Sequence, residues 1–382
     1  MKKFTFTIPQ QVICGEGSFQ CLPELARKLG GKKACIISGP HLRKIGLVDQ
    51  CRKALLEAGI DSGSFTETEG NPCTTTVEKA RDCILTGEAD FIVALGGGSP
   101  LDVAKAAALL VTYGGNITDY EGSGKVPGPV VPIIAVPTTA GTGSEVTSFS
   151  VITDHSRNYK LTVSSNYLLP AYAVLDPELI TTVPSGTAAA CGIDAMIHAL
   201  EAYVSKAASP FSDIFAREAL RLIGGNIRKY VADREDIEAA NAMLLGSLFA
   251  GIAFSHARLG NVHAMSHPVS AYFNVPHGVA NAILLPAVAE FNQSAAAERY
   301  FDIYRYISGN PRPEGEFSPE LLKTELLLLN SELGIPAGLK EAGVKPEAFE
   351  QMAEDAMKSG NISVNPRKTE KEDILRLYRD SF

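Results

Sequence analysis

The sequence predicts an α/β amino-terminal domain built on a parallel sheet, followed by an all-α carboxy-terminal domain. From about Lys33, short apolar or β-branched runs alternate with longer helical stretches. After about Thr182, long Ala- and Leu-rich amphipathic stretches take over, such as Ser212 to Val231 and Arg234 to Ala257, with no convincing strand among them. A length of 382 residues exceeds what one hydrophobic core usually organises, so two cores are expected. Pro184 and Ser185 start a helix just after the last strand-like segment, which sets the domains at 1–182 and 183–382.

Taken in order, ACIIS reads as a strand, Leu42 to Ala58 as a helix, the run near Ser64 as a strand, Thr75 to Thr86 as a helix and DFIVAL as a strand. This alternation is the mark of a parallel sheet covered on both faces. The strand Phe91 to Leu95 runs into Gly96-Gly97-Gly98-Ser99 and then into a helix-patterned segment. Glycines let the backbone approach a ligand closely, and the helix amino terminus offers unpaired N–H groups to an anion such as pyrophosphate. No G-x-G-x-x-G is present, so this turn alone leaves ligand binding and a plain tight turn equally open. A second loop, VPTTAGTGSEVT, follows an apolar run and brings the hydroxyls of Thr138, Thr139, Thr142 and Thr147 beside Gly141 and Gly143. Two such loops in one α/β domain suit a ligand with two phosphates, and the first domain therefore reads as Rossmann-like and dinucleotide-binding.

In the helical half, TAAACGIDAMIHALEAYV places Asp194 and His198 four residues apart, on one helix face a turn apart. By itself the pair reads as an ordinary surface hydrogen bond. The histidine distribution changes the estimate, because His256, His263, His267 and His277 crowd into one short apolar stretch. Histidines among such neighbours need partners for their ring nitrogens, and a metal supplies one. Asp194, His198 and two later histidines would make a three-imidazole, one-carboxylate set suited to Fe(II), Zn(II), Co(II) or Mn(II). Spacing leaves the choice open: His263 with His267 is an i, i+4 pair, whereas His263 with His277 spans a turn at Pro276. His256 reads as a helix-end or surface histidine.

Composition narrows the function classes. A hydrophobic content of 45% with 20% charged residues describes an ordinary globular chain. A net charge of −8 argues against a nucleic-acid surface, which needs clustered Lys and Arg. The amino terminus carries Lys2 and Lys3, but Pro9, Gln10 and Gln11 interrupt it where a signal peptide needs its apolar core. No uncharged apolar run reads as long enough to cross a bilayer, so no membrane partner is expected. Seven scattered cysteines without a Cys-x-x-Cys pair suit reduced, buried and inert thiols in the cytoplasm.

Four ordered motifs, GGGSPLDVAKAAAL, PTTAGTGSEVT, GIDAMIHALEAYVS and HAMSHPVSAYFNVPHGVANAILLP, resemble the iron-containing, or group III, alcohol dehydrogenases. The match runs nearly end to end, from FTFTIPQQVICGEG to NPRKTEKEDILRLY. The resemblance implies a two-domain, dehydroquinate synthase-like fold, with the cofactor in the cleft between the domains. It implies a metal-dependent alcohol dehydrogenase or aldehyde reductase that passes a hydride between a small alcohol or aldehyde and NAD or NADP, working as a homodimer or larger homo-oligomer. By position it makes Asp194, His198, His263 and His277 the metal ligands, with Fe(II) the expected ion and Zn(II) or another divalent metal the alternative. His267 then faces the nicotinamide and substrate as the catalytic candidate. Gly97, Gly98 and Ser99 fall on the pyrophosphate loop, and Asn71, Asp102, Thr138, Thr139, Thr142, Thr147, Lys160 and Leu179 on other cofactor contacts. Gly39 stands where NAD-preferring relatives often carry an Asp for the ribose 2′-hydroxyl, which predicts that NADP(H) is tolerated or preferred. Phe149, Phe254 and Leu259 are candidate lining residues. A dehydroquinate synthase-type site would ring the metal with Lys and Arg, but here the motifs sit among Ala, Met, Val and Phe, which favours a small, weakly charged substrate.

Overall fold

The computed structural model describes residues 4–8, 10–157 and 159–382; Lys2, Lys3 and Pro9, invoked above, lie outside them. The chain forms two compact units. The α/β unit comprises Ile8–Thr139 and Gly143–Ile180, and the helical unit comprises Thr181–Phe382 with Ala140–Thr142 and the amino-terminal stretch up to Thr7. This differs from a single division after residue 182, because Thr142 and its two predecessors group with the helices.

In the α/β unit the strands are β1 (Gln11–Cys14), β2 (Lys33–Ile37), β3 (Asp61–Phe65), β4 (Phe91–Gly96), β5 (Gly122–Ser123), β6 (Ile133–Pro137), β7 (Phe149–Asp154), β8 (Tyr159–Ser164) and β9 (Tyr172–Leu175). The helices are α1 (Leu22–Lys28), α2 (Pro40–Lys44), α3 (Leu47–Glu57), α4 (Thr74–Gly87) and α5 (Gly98–Tyr113). The main sheet runs β1-β9-β6-β4-β2-β3 with every pairing parallel. Side chains alternate between its faces: Cys35, Ile37, Ile92 and Ala94 join one core, and Ala34, Ile36, Phe91 and Val93 join the other. The β-branched runs read as strands because both faces are covered. β3 lies on one side of β2 and β4 on the other. The loops after β2 and β4 thus leave the sheet at a topological switch point, where such folds bind ligands.

Two elements depart from the sequence reading. The helix expected over Leu42 to Ala58 is split into α2 and α3 by Gly46, whose φ of 83° is left-handed. A second sheet, β5-β8-β7, was not foreseen; β7 and β8 form an antiparallel pair from Phe149 to Ser164.

The helical unit contains α6 (Ser185–Val204), α7 (Pro210–Ala232), α8 (Ile237–Ala257), α9 (Asn261–Phe273), α10 (His277–Gln293), α11 (Ala297–Ile307), α12 (Pro319–Glu332), α13 (Phe349–Met357) and α14 (Lys371–Asp380). α6, α7 and α8 pack on one another. Contrary to the sequence reading, α8 is long and apolar enough, at 21 residues, to cross a membrane. Most of its apolar stretch is buried inside the unit, as in the core helix of a folded domain. The cysteine expectation also needs correction: all seven are free, but only Cys35 and Cys51 are buried and Cys14 is exposed.

Candidate metal centre and nucleotide loops

The metal candidates come from three helices of one unit. α6 buries Asp194 and His198 on the same face, among Ala195, Met196 and Ile197. α9 supplies His263 in its first turn, and α10 begins with His277, directly after Pro276. Gly278 makes this approach possible, because a Cβ there would lie 2.0 Å from the Ala190 carbonyl oxygen of α6. Gly278→Ala is expected to force these helices apart and to cost about 1–3 kcal/mol. Denaturant unfolding would measure that loss, and weaker metal retention should accompany it.

Ligand atoms of Asp194, His263 and His277 all lie within 4.8 Å of one another. The Nε2 atoms of His263, His198 and His277 stand 3.5, 3.9 and 4.0 Å from Asp194 Oδ1. His198 joins this group through Asp194 and by stacking on His263, with ring centroids 4.6 Å apart. Its Nδ1 faces the Gly141 carbonyl oxygen at 3.3 Å, which leaves Nε2 for the centre. Phe254 stacks on the same ring at 4.5 Å.

The Asn281 amide nitrogen sits among these atoms, donating to Asp194 Oδ1 at 2.6 Å and lying 3.2 Å from Nε2 of both His263 and His277. Its own Oδ1 is buried without a partner among the described residues. A positive pole thus occupies the middle of an acceptor set, which is what a bound dication would provide more strongly. Electrostatics favour an ion at Asp194 and His198, whereas at His263 burial is outweighed by Asp194 and Glu201, which raise its pKa to about 9, so a metal there has to displace a proton. Burial opposes ionisation of Asp194, but His198, His263 and His277 outweigh it and hold the carboxyl below the usual carboxylate range. Burial lowers the His198 pKa to about 4, keeping it the neutral imidazole that a metal needs.

His267 stands beside this group, half-buried, its ring 5.3 Å from that of His277 and 6.4 Å from that of His263. His256 is apart, in the last turn of α8 against Phe6. Leu259 lies half-buried between α8 and α9.

In the α/β unit, Gly97 caps α5, and Gly98 and Ser99 form its first turn. A Cβ on Gly97 would come within 3.0 Å of Thr139 Oγ1, so the two glycine-rich loops touch. The Thr138 N–H donates to the Gly96 carbonyl at 2.9 Å. Asp102 accepts from the Ser144 hydroxyl at 2.6 Å and the Val151 N–H at 3.0 Å, so its carboxylate braces the second loop. Thr147 accepts from the buried Lys105 ammonium. Lys160 donates to Asn71 Oδ1 at 2.8 Å, and Asn71 takes a left-handed φ of 55°. Leu179 packs on the sheet core, Phe149 opens β7, and Gly39 caps α2.

Two family models cover almost the whole chain: "Iron-containing alcohol dehydrogenase" matches residues 9–177, and "Fe-containing alcohol dehydrogenase family, C-terminal" matches residues 188–382. The chain belongs to the iron-containing alcohol dehydrogenases. Within that family, the NAD-dependent methanol dehydrogenase of Bacillus methanolicus is 38% identical over 380 residues, 99% of each chain. The 1,3-propanediol dehydrogenase of Citrobacter freundii is 39% identical over 384 residues, 100% of this chain and 99% of its own. The solved alcohol dehydrogenase from Oenococcus oeni matches with a TM-score of 0.95 at 35% identity, covering 100% of both chains. As a member of the family, the protein is an oxidoreductase of alcohols and aldehydes.

Sequence reasoning missed Glu201, Asn281 and Lys105. Glu201 and Asn281 each left a signal: a polar residue one turn from His198 or His277 on an otherwise apolar helix face. Lys105 is the lone charge within AKAAALL.

Proposed function

We propose that this alcohol dehydrogenase uses Asp194, His198, His263 and His277 to hold one divalent metal, with Fe(II) or Zn(II) as candidates, and takes NAD or NADP as hydride carrier on the Gly97-Gly98-Ser99 loop. The convergence of Asp194, His263 and His277 ligand atoms around the Asn281 amide carries the reading. When bound, the metal supplies Lewis acidity to an alcohol or carbonyl oxygen. Asp194 contributes the negative charge that offsets a dication, and Gly141 orients His198 through its Nδ1. Phe254, stacked on His198, offers an apolar wall suited to a small, weakly charged substrate. His267, beside His277, is the candidate for positioning substrate or exchanging a proton. Seven free thiols suit a reducing cytoplasm.

Cofactor choice turns on the loop after β2. Gly39 brings no carboxylate, and the short α2 that follows carries His41, Arg43 and Lys44. A 2′-phosphate would meet no like charge from that residue, which supports use of NADP(H). Gly39→Asp is expected to shift the ratio of catalytic efficiencies toward NAD(H) by about tenfold or more, equivalent to about 1.4 kcal/mol. Gly39→Ala is the steric control, because a Cβ would lie 3.2 Å from the Thr68 carbonyl oxygen. An unchanged ratio in the aspartate variant would move cofactor choice to other contacts.

The whole reading is tested by reconstituting metal-free protein with Fe(II) under anaerobic conditions or with Zn(II). Reduced-nicotinamide absorbance is then followed with short alcohols and aldehydes. Metal-restored turnover that disappears in His263→Ala is the expected result; turnover indifferent to metal would sink it.

A further inference from the structure

Glu201 lies on the same face of α6 as Asp194 and His198, one turn beyond His198, and is 3% exposed. One of its oxygens, Oε2, is 2.7 Å from His263 Nδ1. The other, Oε1, accepts the Val262 N–H at 2.7 Å. The His263 N–H approaches Oε2 at 3.4 Å. These two N–H groups belong to the first turn of α9, whose own N-cap residue, Gly260, offers no side chain. A Cβ on Gly260 would come within 2.9 Å of Glu201 Oε1, so the glycine leaves room for the carboxylate.

A carboxylate only accepts hydrogen bonds, so the proton in the Glu201–His263 contact sits on Nδ1. In the neutral imidazole that binds a metal, this puts the lone pair on His263 Nε2, the atom 3.5 Å from Asp194 Oδ1. We propose that Glu201 is a positioning residue of the metal centre: it fixes the tautomer and orientation of His263 and anchors the helix end that carries it. The same helix, α6, would thus supply two ligands directly and orient a third through Glu201. This inference rests on the metal-site reading above. Carboxylates that hold the far nitrogen of a metal-bound imidazole raise metal affinity by about 10- to 100-fold.

Glu201→Gln tests it with nearly the same volume. If the amide oxygen keeps the Val262 N–H, the amide N–H₂ faces Nδ1 and drives the proton to Nε2, the wrong nitrogen for a metal. The Zn(II)-loaded wild type and variant are challenged with a chelator, and their melting temperatures are compared in excess chelator. The expected result is zinc held 10- to 100-fold more weakly by the variant. A purely structural cap would lower the chelator-treated melting temperature and leave zinc affinity unchanged, and that outcome overturns the proposal. Should the variant not fold, nitrogen-15 NMR of the zinc-loaded wild type decides: a low-field proton bonded to His263 Nδ1 is required, and its absence is fatal. A wild type that retains no zinc, iron or cobalt would instead refute the metal-site reading itself.

Discussion

Asp194→Asn is expected to leave a folded protein with metal affinity reduced at least about 100-fold and turnover reduced about 1,000-fold, the latter equivalent to about 4 kcal/mol of lost transition-state stabilisation. Much converges on one atom of this carboxylate. Oδ1 accepts from the Asn281 amide and is the shared neighbour of Nε2 from His198, His263 and His277. The carboxylate is the only negative charge among the four proposed ligands. Replacing it with an amide keeps the volume but removes that charge and sets N–H₂ or carbonyl where a full anion stood. Metal content after dialysis and initial rates under saturating cofactor are the measurements. A variant that keeps both its metal and its rate would remove Asp194 from the ligand set.

Lys105→Met should produce the largest loss of stability, about 3–5 kcal/mol, because it leaves the buried oxygens of Ser144, Thr147 and Phe149 without their donor and removes the positive charge near Asp102. The Lys105 ammonium donates to the Ser144 hydroxyl at 2.8 Å and to the carbonyls of Thr147 and Phe149, both at 2.9 Å. Burial lowers its pKa to about 8, against the pull of Asp102 and Glu145. Asp102 completes the brace through Ser144 and Val151. Together they tie the start of α5 to the chain from Ser144 to Val151, so losing the ammonium should also weaken nucleotide binding. Unfolding midpoints of Lys105→Met, Asp102→Asn and the double variant form a cycle that isolates their coupling. A loss below about 1 kcal/mol in the single lysine variant would show that the loop holds without it.

The parts legible in the sequence are those encoded locally. Strand alternation, the turn after Leu95 and the i, i+4 relation of Asp194 to His198 are all set within one turn or one strand. The rest depends on how helices register against each other. Glu201 meets His263 across 62 positions of chain and Lys105 meets Ser144 across 39, and nothing in a single sequence fixes such pairings. The same limit explains why spacing alone left His267 and His277 open. Both lie within reach of His263 along the chain, and it is the packing of α10 that brings His277 Nε2 to 3.2 Å from the Asn281 amide.

Three residues, Ala140–Thr142, group with the helical unit while the chain on either side belongs to the sheet. The Gly141 carbonyl oxygen among them faces His198 Nδ1, and the missing Cβ of Gly141 makes room for Cys191, whose own Cβ would lie 2.8 Å from it. The helical half is therefore not a transferable cassette. A fragment beginning at Thr181 would leave behind the carbonyl that orients one of its own histidines, so recombination that exchanges the helical half must carry this short loop with it.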